Sequence, residues 1–248
     1  MTEVELRKRV CAIMAGWLGG TRGSKEHAEI LSIYNSQSPL PRGYRMQVND
    51  DWCAATVSAA FLKAGIAPYT GTECSCGAFI TLAKARGIWI EDDAHRPEIG
   101  DAIIYDWKDN GLGDDTTGHN HIGIVTEIAG TRFTVTEGNM SGGKIHRRTM
   151  SVDGRYIRGY ICPDYAEIAK EMTAVEKSNS VVASLTPEDC YEIILKANEY
   201  AAKMATPEWM TDELKQAVDA GITDGMRPLA LCMRGAAAIM ALRGKKNV

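Results

Sequence analysis

No stretch of this 248-residue sequence is long and apolar enough to cross a bilayer. No polybasic run is present either, and net charge is −4. Neither nucleic acid nor an anionic membrane surface is therefore an expected partner. Cysteine is too sparse for a disulfide-held fold: there are seven, an odd number. At least one thiol must stay free or pair between chains, and synthesis in a reducing cytoplasm is expected. An A-x-A-like cleavage site is also missing. Arg7-Lys8-Arg9 followed by Val10 to Leu18 imitates a signal peptide, but Glu3 and Glu5 precede it. Leu6, Val10, Ile13, Met14, Trp17 and Leu18 share one helical face. An amphipathic core helix is the expectation, without a signal peptide.

What is present is ordered in two blocks. Over residues 1–165 the periodicity predicts helices near 4–18, 24–35, 53–64 and 75–86. Short β segments follow at 102–105, 121–128, 132–137 and 155–161, punctuated by Pro97-Glu98-Ile99-Gly100-Asp101 and Ala129-Gly130-Thr131. Helices first and an antiparallel meander second give an α+β fold, with helices packed on one face of a sheet. Residues 166–185, rich in Lys, Glu, Ser and Asn, are expected to be a linker, helical in part. Thr186-Pro187-Glu188 opens a second helical block, 186–248, with helices at about 187–204, 207–220 and 230–243.

Asp50-Asp51-Trp52-Cys53 carries the chemistry. The face Cys53, Val57, Ala60, Phe61 and Ala64 points inward, with Gly65 as the stop and Asp50 or Asp51 as the expected N-cap. Cys53 thus sits in the first turn of a helix, where free N–H groups and the dipole favour a thiolate. A thiolate nucleophile needs a base. If Ala129-Gly130-Thr131 is the hairpin loop, Ile128 lies opposite Arg132, Gly123 opposite Glu137 and His121 opposite Asn139. Alternation then puts His121, Glu137 and Asn139 on one face, together with Val125, Phe133 and Val135. The Cys53 helix is expected to dock on that face. Cys53 would attack a carbonyl, His121 would shuttle the proton, and Glu137 or Asn139 would orient the imidazole. Read singly, Cys53 is a core residue and His121 an ordinary strand histidine; their combined placement is the argument.

Asp51-Trp52-Cys53-Ala54-Ala55, Gly100-Asp101-Ala102-Ile103, His121-Ile122-Gly123-Ile124-Val125 and Glu137-Gly138-Asn139 resemble the CHAP family, in order and spacing, across about residues 10–165. The resemblance is strongest to lysins of phage or prophage and wall hydrolases of Gram-positive gut bacteria. It implies a papain-like catalytic domain that cleaves peptidoglycan as an N-acetylmuramoyl-L-alanine amidase or endopeptidase. It implies Cys53 as nucleophile, His121 as base, Glu137 as orienting group and Asn139 as a further site residue. An endolysin made in the cytoplasm and acting at the cell wall is the expectation. His119 competes with His121, which the family's placement of its histidine favours. An NlpC-type endopeptidase is one rival, against which Ala54-Ala55 argues. A non-catalytic wall-binding protein is another.

No cofactor is expected. His119, His121, Cys74 and Cys76 could supply four zinc ligands, but each pair has a single intervening residue, unlike structural zinc spacing. Asp106 to Gly111 faintly echoes a calcium loop, with Asp106, Asn110 and Gly111 in place but Lys108 where an oxygen ligand belongs and Thr117 where Glu should be; Asp106, Asp109, Asp114 and Asp115 leave weak calcium binding open. His27, His95 and His146 read as structural or surface residues. In the tail, Ala217 to Gly225 with Pro228, Cys232, Arg234 and Leu242-Arg243 loosely resembles one S-layer-homology repeat, which implies attachment to a secondary wall polymer. Ala236 stands where an acidic residue is usual, and only one repeat is visible. A helical module that joins copies of the chain into a homo-oligomer is the alternative.

Overall fold

The computed structural model describes residues 1–110 and 118–203, and beyond them positions 212, 215, 216 and 219. Helix α1 spans Glu3–Trp17, α2 Lys25–Asn35, α3 Cys53–Ala64, α4 Ala67–Thr70 and α5 Cys76–Ala85. Strands β1 (Trp89–Ile90), β2 (Ala102–Tyr105), β3 (His121–Ala129), β4 (Arg132–Met140), β5 (Lys144–Ser151) and β6 (Ile157–Ile161) follow. They form one antiparallel sheet in the order β1-β6-β2-β3-β4-β5. The layout is α+β and papain-like, with the helices gathered over one face of the sheet.

Helix α1 starts on a capping box, with Thr2 and Glu5 each accepting the other's backbone N–H. It buries Leu6, Val10, Met14 and Trp17, so the N-terminal apolar pattern belongs to a core helix. Helix α3 is the central element: ten of its twelve residues are buried, including Val57 and Phe61. Burial of side chains of that size contributes roughly 1.5–3 kcal/mol each. The helix stops at Gly65, which takes a left-handed φ of 83°.

Two expectations about α3 are corrected. Neither Asp50 nor Asp51 caps it; Trp52 is the N-cap and provides no side-chain hydrogen bond. Asp50 accepts instead from the Tyr44 hydroxyl and the Gln47 N–H, and Asp51 from Asn139. Nor does α3 dock on the Val125, Phe133 and Val135 face. Those residues join Ile103, Tyr105 and Tyr160 in a separate cluster. The helix packs with Ile104, Ile122 and Ile124, which point the other way by strand alternation. Gly138 permits this closeness: a Cβ there would lie 2.1 Å from Thr56 Oγ1.

The β3–β4 hairpin holds a compensated register. Its loop is two residues, Gly130 and Thr131, so Ile128 pairs with Phe133 rather than with Arg132. A bulge between Val125 and Glu127 absorbs the offset, and Ile124↔Thr136 and Val125↔Val135 regain the expected pairing. The site end of the hairpin is thus in the register the sequence suggests.

A first compact unit runs from Met1 to Val175 and a second from Glu176 to Val248. Residues 166–185, expected as a linker, fall largely in helix α6 (Tyr165–Ala183), whose Tyr165, Ile168 and Ala169 are buried. In the second unit, α7 covers Pro187–Lys203, and the Thr186 hydroxyl accepts the N–H of Asp189 as a cap. The expected helices at 207–220 and 230–243, and the S-layer-like pattern, lie outside the described residues apart from four isolated helical positions. No described helix is long and apolar enough to cross a membrane.

Candidate active site

Cys53 is the first residue of α3 and His121 the first of β3, and the two groups act on each other at the end of the sheet, the imidazole lowering the thiol and the sulfur raising the imidazole. Because Trp52 offers no capping oxygen, the N–H groups of the first helical turn stay open beside the sulfur. The N–H of Ala54 is directed at it. Cys53 is buried, with 7% exposure, and its sulfur lies 3.8 Å from that of Cys76 at the start of α5.

The thiol of Cys53 is held low, at about 5. The largest cause is the hydrogen bond from Cys76; burial opposes it, and His121 and the Ala54 N–H add to the lowering. Cys76 is driven the other way, well above the ordinary thiol range, by its bond to Cys53 and by burial. Of the two sulfurs, Cys53 carries the charge, because it alone faces the imidazole and an open helix terminus.

His121 Nε2 lies 3.0 Å from Glu137 Oε2 and donates to it, which leaves Nδ1 for Cys53. Burial works to depress the imidazole, but the bonds to Cys53 and Glu137 outweigh it and raise His121 to about 9. Glu137 is fully buried. Burial alone would raise its carboxyl, yet His121, Arg148 and Tyr105 hold it below the usual carboxylate range. Arg148 Nε donates to Oε1 at 2.9 Å and Nη2 to Oε2 at 3.2 Å, and the Tyr105 hydroxyl donates to Oε1 at 2.7 Å. Gly123 makes room for this carboxylate, since a Cβ there would come within 2.6 Å of Glu137 Cγ.

Asn139 departs from the strand alternation expected to set it beside His121. A register shift between Glu137 and Met140, with Asn139 at φ 55°, breaks the alternation. Its Nδ2 donates to Asp51 Oδ1 at 2.9 Å, and its Oδ1 accepts from Arg22 Nη2 at 3.1 Å. The residue braces the loop before α3 and lines a hollow together with His121, with no hydrogen bond to the imidazole among the described residues. His119 is exposed and lies over Gly77, and it is His121 that pairs with Glu137.

The candidate zinc set does not converge. His121 is committed to Cys53 and Glu137, Cys76 touches Cys53, and Cys74 Sγ accepts from Arg42. In the acidic loop, Asp106 Oδ1 accepts the N–H of Lys108 and Asp109 Oδ2 that of Tyr156; residues 111–117 lie outside the description.

The sequence did not single out Tyr105, Arg148 or Cys76 for the site. Arg148 follows from a β4–β5 pairing that sets Val135 opposite it and Glu137 opposite His146. Two hollows flank the centre. One of about 300 Å³ is lined by Trp107, His121, Asn139 and Arg148. The other, of about 270 Å³, is lined by Arg42, Tyr44, Asp50, Asp51 and Cys74. A larger hollow of about 540 Å³ between α2 and residues 45–48 has no cysteine, histidine or carboxylate in its lining.

A helix-borne cysteine facing a strand-borne histidine, itself anchored on a buried carboxylate, is the arrangement of a papain-like cysteine hydrolase. Residues 43–139 match the family model described as CHAP domain. The matched segment is about two-fifths of the chain and contains Cys53, His121, Glu137 and Asn139. It indicates a cysteine- and histidine-dependent hydrolase of the amidase or peptidase type, with cell-wall peptidoglycan as substrate. No curated protein and no solved structure matches the chain.

Proposed function

We propose that this protein is an endolysin that hydrolyses an amide bond of peptidoglycan, as an N-acetylmuramoyl-L-alanine amidase or an endopeptidase. The observation that carries the reading is a Cys53 thiol lowered by His121 at an uncapped helix start, with His121 in turn 3.0 Å from the buried Glu137 carboxylate. The Cys53 thiolate attacks the carbonyl carbon, and charge moves onto its oxygen. Open N–H groups of the first α3 turn stabilise that oxyanion. The His121 imidazolium then gives its proton to the leaving amine, and a thioester on Cys53 results. Water, deprotonated by His121, attacks the thioester, releasing a carboxylate and restoring the thiolate. Glu137 keeps the imidazole in the right tautomer, and Arg148 and Tyr105 keep Glu137 charged and aimed.

In this reading residues 1–165 form the catalytic domain. Residues 186–248 form a helical module that binds a secondary wall polymer or joins copies of the chain. The enzyme is made in the cytoplasm and reaches the wall after the membrane fails. Zymography on purified cell walls tests the hydrolysis. Wild type clears the wall and Cys53→Ala does not; equal clearing by both removes the cysteine mechanism. Mass spectrometry of released muropeptides identifies the bond: a free muramoyl carboxylate with a free L-alanine amine marks an amidase, and a new amine within a peptide whose L-alanine is still joined to muramic acid marks an endopeptidase.

A further inference from the structure

A second meeting of cysteine, histidine and carboxylate involves none of the Cys53, His121 and Glu137 residues. Cys162 directly follows β6, His95 belongs to the connection between β1 and β2, and Asp101 immediately precedes β2. Their ligand-type atoms all lie within 4.8 Å of one another. Cys162 Sγ stands 3.5 Å from His95 Nε2. Asp101 is buried, while His95 and Cys162 are partly buried, so solvent can reach the cluster.

The spacing fits a metal. Sulfur at about 2.3 Å and nitrogen at about 2.0–2.1 Å from a tetrahedral zinc stand about 3.5 Å from each other. Thiolate, imidazole and carboxylate are also the donor types that zinc takes. Asp101 Oδ1 accepts from Arg7 Nη1 at 3.0 Å and Oδ2 from the Glu98 N–H at 2.9 Å. Each carboxylate oxygen still has a lone pair to offer. Arg7 is itself paired with Glu3, Glu98 and Asp101, so its charge is already balanced locally.

An independent observation points to the same place. Tyr160 lies two residues before Cys162 on the same side of the chain, is fully buried, and its hydroxyl has no hydrogen-bond partner among the described residues. Its ring is 5.3 Å from that of His95. A buried hydroxyl without a partner is a group that a metal-bound water would satisfy.

We propose that His95, Asp101 and Cys162 bind a divalent cation of the zinc type, with water in the fourth position facing Tyr160. Binding exchanges the Cys162 thiol proton for the metal, the proton leaves to solvent, and nothing is oxidised or reduced. The ion ties the β1–β2 connection to the end of β6 and, through Asp101 and Arg7, to α1. This goes beyond the hydrolytic reading and shares no residue with it.

Titration of the full-length apoprotein with cobalt(II), and with zinc against a chromophoric chelator, tests the site. One equivalent binds per chain, and cobalt gives a thiolate charge-transfer band in the near ultraviolet. Cys162→Ser abolishes the band. His95→Ala, on a partly exposed loop where folding is least at risk, weakens binding by more than ~100-fold, beyond the usual loss for an outer partner. Circular dichroism confirms that each variant is folded, and His95→Ala decides the matter if Cys162→Ser is not. The double variant Cys53→Ala/Cys76→Ala keeps the band. Absence of binding by wild type, a band that survives in folded Cys162→Ser, unchanged affinity in His95→Ala, or loss of the band in the double variant overturns the proposal. None of these readings depends on wall hydrolysis.

Discussion

The sulfur atoms of Cys53 and Cys76 lie 3.8 Å apart, one at the start of α3 and the other at the start of α5. The Cys76 bond is the largest cause of the low Cys53 value. Replacing Cys76 with Ala therefore raises the Cys53 thiol toward its ordinary range. A hydrogen bond to a charged group contributes about 1.5–3 kcal/mol, or ~10–100-fold. The expected result is a loss of that size in kcat/KM on the acid side of the pH profile and little change on the alkaline side. Cys76→Ser, which restores a donor, recovers part of it. A profile unchanged by Cys76→Ala would remove this role.

The same two groups set the pH window of wild type. Cys53, held at about 5, must be deprotonated, so activity rises as pH climbs through that value. His121, held at about 9, must be protonated to serve the leaving amine, so activity falls as pH passes that value. A bell with a plateau between these limits is expected for kcat/KM on a soluble muropeptide. A single limb near neutrality would contradict the thiolate–imidazolium pair.

Oxidation provides another reading of the sulfur contact. Glutathione disulfide accepts two electrons from the pair: the Cys53 thiolate and the Cys76 thiol form a disulfide bond, and one glutathione thiol and one glutathione thiolate are the other products. Activity is lost, two thiols disappear from titration, and dithiothreitol restores both. In Cys76→Ala the same treatment leaves a glutathione adduct on Cys53, heavier by mass spectrometry. An adduct of that kind as the sole product in wild type would exclude the internal bond.

Glu137→Gln keeps the shape of the side chain and removes its charge. His121 loses a raising partner and Arg148 its counter-ion. A drop of ~10²–10⁴ in kcat/KM is expected, with the alkaline limb moved to lower pH. The buried pairing with Arg148 is lost as well, so a destabilisation of about 1–3 kcal/mol accompanies it, measured by urea unfolding. Activity within a factor of two of wild type would show that the carboxylate is not needed.

Asn139 predicts the opposite balance. It holds φ 55° and bridges Asp51 to Arg22, and the hydrogen bonds of its side-chain amide go to neither His121 nor Glu137. Asn tolerates this backbone region better than Ala, for which it costs roughly 1–2 kcal/mol. Asn139→Ala should lower Tm and leave the pH profile in place, and Asn139→Gly should recover the backbone part. A shift in either pH limit would give Asn139 a direct part in the chemistry.

Much of this was legible in the residues, and the failures have physical causes. The helix spacing around Cys53 and the apolar character of Ala102 to Tyr105 place the central elements, because both lie in the core. The His121–Glu137 pairing was readable although the assumed loop was one residue too long; the bulge past Val125 cancels that error. Strand parity could not foresee the kink at Asn139, nor which face α3 covers, since both faces of β3 are apolar near the site. Strand β5 escaped because an edge strand with most residues exposed shows no firm alternation. Helix α6 was expected only in part, because few of its described residues anchor it in the core.

Trp52 leaves the start of α3 without the oxygen that most helices recruit there. Installing Ser or Asp at that position to gain roughly 1 kcal/mol of thermal resistance would bring in an acceptor that competes with sulfur and substrate for the same donors. Attempts to harden this protein against heat have more room at surface loops than at the one end of a helix whose incompleteness serves its reaction.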